Sequence, residues 1–73
     1  MDNKYVKIRE TIGRELKDAR RNAGLSLLAV QEKTQGEFHA SAVGSYERGD
    51  RDIPAYKYFV LLGFYETGSL DYD

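Results

Sequence analysis

Cysteine is absent from these 73 residues, and histidine and proline occur once each. Without thiols the chain has no disulfide and no thiolate metal site, and one histidine cannot build a structural zinc site. Ser41 and Ser45 lie near His39 in sequence, but no base-and-orienter set surrounds them, so neither catalysis nor a metal or cofactor is expected. No apolar run approaches the ~20 residues needed to span a bilayer. The opening MDNKYVKIRE also lacks the apolar stretch of a signal peptide. A cytoplasmic protein without a membrane partner is expected. A strong net charge is missing too: 11 Lys or Arg against 12 Asp or Glu leave −1, which at first argues against a nucleic-acid partner. The distribution is less even. Residues 1–51 hold ten basic and eight acidic side chains, residues 52–73 one and four. The mild asymmetry permits DNA binding without requiring it.

What is present is helical periodicity. Residues 1–73 read as one small domain, near the lower limit for a chain that folds on a hydrophobic core alone. Ile8, Ile12, Leu16, Ala19 and Ala23 fall on one stripe of a helix, expected over about residues 6–23, with Gly24 placed to end it. Ser26 is placed to cap a second helix over about residues 26–34. The segment QGEFHA reads as a loop with Phe38 folded back as an anchor. A third helix follows over about residues 40–48, capped by His39 or Ser41, with Val43 and Tyr46 pointing inward and Gly49 just past its end. Ile53-Pro54 opens a fourth over about residues 54–66, since proline suits a first turn. Residues 67–73 read as an acidic tail. The expected fold class is all-α, four to five short helices with no strand, in the layout of a helix-turn-helix domain.

The segment GRELKDARRNAGLSLLAVQEKTQGEFHASAVGSYERGDR resembles the Cro/phage-repressor-like (XRE-type) helix-turn-helix family. Within it the residues GLSL, EKTQG and VGSYERGDR are most similar to the N-terminal DNA-binding domains of the BldD-type branch, developmental regulators of actinobacteria. The similarity runs from about Gly13 to Tyr65. It implies a lambda-repressor-like domain acting as a sequence-specific DNA-binding transcriptional regulator, a repressor, on double-stranded DNA. By the resemblance Ala40, Ser41, Gly44 and Ser45 face base edges. Arg48, Arg51 and the Gly49 amide approach phosphates, and Arg20 pairs with Glu47. Three positions depart from the general pattern: Leu27 replaces a glutamine that begins helix 2, Gln31 a small alanine, and Ala40 with Gly44 long polar readers. Specificity is then expected to come largely from phosphate positioning and DNA shape.

The residues carry physical arguments of their own. Glu47 at a helix C-terminus opposes the macrodipole and needs a cation, which Arg20 can supply with a bidentate guanidinium. The alternative is a solvated glutamate beside Arg48, worth under ~1 kcal/mol. Gly49 between two arginines would let a phosphate approach the backbone, although Asp50 and Asp52 dilute the local field. His39 is expected to donate to a phosphate or to cap the third helix. In helix 4, Tyr56 and Tyr58 lie two residues apart and cannot share a face, so at least one is exposed. Exposed aromatics favour interfaces, and a homodimer through helix 4 and the C-terminal tail is expected. The second functional class is a protein-binding adaptor, anti-repressor or antitoxin-like module, which the near-neutral charge and aromatic helix 4 also suit.

Overall fold

The computed structural model describes residues 3–70, and all regular structure within them is helical. Four helices follow in order: α1 Asn3–Asn22, α2 Leu27–Lys33, α3 Ala40–Arg48 and α4 Ala55–Thr67. The fold is the all-α, helix-turn-helix-like class that the periodicity implies. α1 starts about three residues earlier than expected, α3 has the expected bounds, and the other boundaries move by one residue. Of the expected acidic tail, Asp71, Tyr72 and Asp73 lie outside the described residues. Leu70 packs against the core. Among the described residues no helix is long and apolar enough to cross a membrane.

Local chemistry sets the helix ends. Gly24 has φ 75° and Gly49 φ 78°, a left-handed backbone that costs glycine nothing, so the chain leaves both α1 and α3 at once. Ser26 caps α2 by accepting from the Ala29 amide at 3.0 Å. Between α2 and α3 the chain reverses through Gln35 (φ 51°) and Gly36 (φ 81°). Buried Thr34 ties this turn together: its hydroxyl donates to Val30 O at 2.7 Å and accepts from Phe38 N at 3.2 Å. The turn is longer than the three or four residues of the shortest helix-turn-helix, and Phe38, 4% exposed, is the anchor that makes the longer path rigid.

Each element gives the core a share: Leu16 from α1, Val30 from α2, Phe38 from the turn, Val43 and Tyr46 from α3, and Leu61, Phe64 and Tyr65 from α4. The α1 stripe buries its middle only. Ile12, Leu16 and Ala19 pack on the core, while Ile8 and Ala23 at its ends are exposed. α3 packs against both α1 and α2, and α4 packs against α1. Tyr58 adds a tether, its hydroxyl donating to Glu15 Oε1 at 3.0 Å.

Candidate nucleic-acid interface

The rear of α3 is fixed to α1 in two ways. Where the helices cross, Gly13 is buried, and a β-carbon there would lie 2.7 Å from Tyr46 O and 2.8 Å from the Glu47 carbonyl carbon. Only a residue with no side chain lets the backbones approach this closely. About two turns further along α1, Arg20 forms a bidentate pair with Glu47. Arg20 Nε donates to Oε2 at 2.7 Å and Nη2 to Oε1 at 2.9 Å, while Nη1 donates to Leu25 O at 2.8 Å. The side chains are 11% and 6% exposed, so solvent screens the pair little. The hydrogen bond to Glu47, ahead of the opposing desolvation, raises the Arg20 pKa above its ordinary value. The solvated-glutamate alternative does not apply. Beside the pair the Tyr65 hydroxyl is buried with no hydrogen-bond partner among the described residues. Burial first, then the charge of Glu47, pushes its pKa far up, so it stays protonated.

The N-terminus of α3 is capped twice. His39 is the N-cap, its Nδ1 accepting from Ser41 N at 3.4 Å and lying 3.0 Å from Ser41 Oγ. A ring that accepts at Nδ1 carries its hydrogen on Nε2, so capping leaves an exposed donor. The two roles expected of His39 are therefore compatible. The second cap comes from α2: the Ala40 amide donates to Gln31 Oε1 at 3.0 Å. Gln31 thus serves the next helix. Gln31→Leu should cost about 1 kcal/mol, the usual worth of such a cap, and lower the melting temperature by roughly 4–8 °C. An unchanged melting curve would show the bond to be dispensable.

Of the expected base-facing residues, Ala40 is half-buried, Ser41 is exposed and Ser45 is half-buried. Gly44 departs from expectation. It is buried, and a β-carbon on it would sit 3.5 Å from Leu27 Cδ1 and 3.1 Å from Arg48 Nη1. Gly44 therefore lies under the Arg48 guanidinium and beside α2, not open on the outer edge. The expected phosphate set is likewise rearranged. The Gly49 amide donates to Tyr46 O at 3.2 Å, and a β-carbon there would meet Glu10 Cγ at 3.3 Å. That amide closes the helix and is not free for a phosphate. Arg48 Nε donates to Asp50 Oδ2 at 3.0 Å. Arg51 lies over the Tyr46 ring, 5.4 Å from its centroid, in a groove beside α1 with Tyr5, Ile8 and Ile53. The two arginines that bracket Gly49 in sequence thus point to different places.

On α4 the outward residues Tyr56 and Phe59 are 69% and 71% exposed. The expected split of Tyr56 from Tyr58 holds, Tyr58 turning to α1. Among the described residues no group of three or more His, Cys, Asp or Glu could hold a metal ion. Comparison with family models, curated proteins and solved structures returned no match for this chain.

Proposed function

We propose that this chain is a sequence-specific DNA-binding transcriptional regulator, a repressor acting in the cytoplasm, that presents α3 to the major groove of double-stranded DNA. The observation that carries this reading is the division of α3 into two faces. Its rear is fixed by the Gly13 crossing and the Arg20–Glu47 pair. Ser41, Ser45 and Arg48 carry hydrogen-bonding groups along its outer edge, Ser41 and Arg48 exposed and Ser45 half-buried. A helix held rigidly from behind with a polar front edge suits insertion into a groove about 12 Å wide. The resemblance of VGSYERGDR to DNA-binding domains supports the same reading.

The exposed Tyr56 and Phe59 favour a protein partner on α4. A second copy of the chain fits the regulator reading, because dimers place two recognition helices on a two-fold symmetric operator. The same aromatics support the alternative of an adaptor, anti-repressor or antitoxin-like module.

A salt series of binding to random duplex separates the two. Each phosphate neutralised contributes about 0.9 to the slope of log affinity against log salt. A regulator should show a slope of several units, and Arg51→Ala should lower it by about one if Arg51 leaves Tyr46 for a phosphate. A slope near zero sinks the DNA reading and leaves the protein-binding one standing.

A further inference from the structure

Ser41, Ser45 and Arg48 succeed one another at i, i+4 and i+7 on α3, so they share one face of the helix. From Ser41 to Arg48 the helix rises about 10 Å, the height of about three base pairs. The serines are short, and a hydroxyl both donates and accepts, so neither separates one base from another sharply. Arg48 is the one long donor on that edge. Its guanidinium does not project from the helix but lies back along it. Nε donates to Asp50 Oδ2 at 3.0 Å, Nη2 donates to Ser45 Oγ at 3.4 Å, and Nη1 rests over Gly44. The missing β-carbon of Gly44 makes that berth. Both side chains of the ion pair are largely exposed, 63% and 61%, so water screens it and a better acceptor can take the guanidinium away.

We propose that Arg48 is the base-reading residue of α3, directed at a guanine, and that Asp50 and Gly44 hold it folded against the helix until DNA offers better acceptors. This rests on the DNA-binding reading above and assigns Arg48 to a base where the resemblance assigns it to a phosphate. The planar fork of a guanidinium matches the O6 and N7 acceptors of guanine in the major groove. Unfolding Arg48 from its berth also frees the Ser45 hydroxyl for the neighbouring base pair. Asp50 makes the device selective. Its carboxylate repels phosphates on every sequence, and among the base edges in the major groove a guanine offers the freed fork two acceptors. Random duplex is therefore penalised more than the operator.

The test is selection from a random duplex pool with wild type, Arg48→Ala, Asp50→Asn and the double variant, followed by affinities for selected and random duplexes. All three variants alter exposed side chains, and unchanged melting curves verify the fold. Arg48→Ala should turn one guanine column of the wild-type motif degenerate, with a loss of selectivity there of roughly 5- to 150-fold. Asp50→Asn should raise affinity for random duplex more than for the selected one, and by more while Arg48 is present than in the Arg48→Ala background. If Arg48→Ala keeps every column and weakens all duplexes alike, Arg48 is a phosphate contact and the proposal falls. An equal Asp50→Asn gain in the Arg48→Ala background overturns the holding role of Asp50. A wild-type pool that yields no motif overturns the DNA-binding reading itself, and the proposal with it.

Discussion

Arg20→Ala is expected to leave the domain largely unfolded at physiological temperature, and Glu47→Ala to come close. A 73-residue domain commands roughly 4–11 kcal/mol in all, at about 0.05–0.15 kcal/mol per residue. Breaking a deeply buried ion pair by removing one partner costs about 3–5 kcal/mol, because the other charge is stranded away from water. At 11% and 6% exposure both members lie near that limit. The two variants should differ. Without Arg20, Glu47 faces the negative end of the α3 dipole with no cation, and Leu25 O loses its donor. Without Glu47, Arg20 keeps Leu25 O and has a long stem with which to reach solvent. Arg20→Ala should therefore be the worse. The double replacement Arg20→Met with Glu47→Leu should cost less than either single truncation, since no charge is left behind. Denaturant titration of the four proteins measures this. Single variants melting within a few degrees of wild type would mean that the pair does not hold α3.

The parts of the fold set by local rules could be read from the sequence. The α1 stripe, the glycines at positions 24 and 49, Ser26 before α2 and Pro54 before α4 each act within a few residues of themselves. The Arg20–Glu47 pair spans 27 residues, yet it too was accessible, because a carboxylate at a helix C-terminus demands a cation and the resemblance names one. What the sequence hid depends on where side chains land after packing. Gln31 reads as a departure from a small residue, and nothing nine positions upstream of Ala40 marks it as a cap. Arg48 and Arg51 flank one glycine and invite a single site. The left-handed turn at Gly49 sends one to Asp50 and the outer edge of α3, the other to Tyr46 and α1. Gly44 has no side chain whose chemistry could tell an outer edge from a buried one. That at least one of Tyr56 and Tyr58 is exposed was forced by helix geometry, whereas which of them it is, and the exposure of Phe59, depended on which stripe of an almost wholly apolar α4 met the core.

Gly13 is the residue whose role was least visible and whose replacement should be among the most damaging. It sits in the interior of α1, where glycine is about 1 kcal/mol worse than alanine, so on helix propensity alone Gly13→Ala should stabilise. That cost in the native sequence is itself the signal that something else requires the position. In the structure a β-carbon there would lie 2.7 Å from Tyr46 O and closer still to Glu47 O. These are backbone atoms of α3 and cannot turn aside as the tip of a flexible side chain can. Accepting the methyl means separating α1 from α3, which opens the core around Leu16, Val43 and Tyr46 and stretches the Arg20–Glu47 pair. Overpacking of this kind costs about 1–3 kcal/mol and occasionally more, and the strained ion pair adds to it. The propensity gain is outweighed. Gly63, in the interior of α4, supplies the matched control, because a β-carbon there meets nothing within 4 Å. Gly63→Ala should raise the melting temperature by a few degrees, as a gain of up to ~1 kcal/mol allows, while Gly13→Ala should lower it by roughly 5–15 °C. If both substitutions stabilise, α1 and α3 do not cross as closely as the structure has them, and the rigid rear support of α3 is lost as an argument for its function.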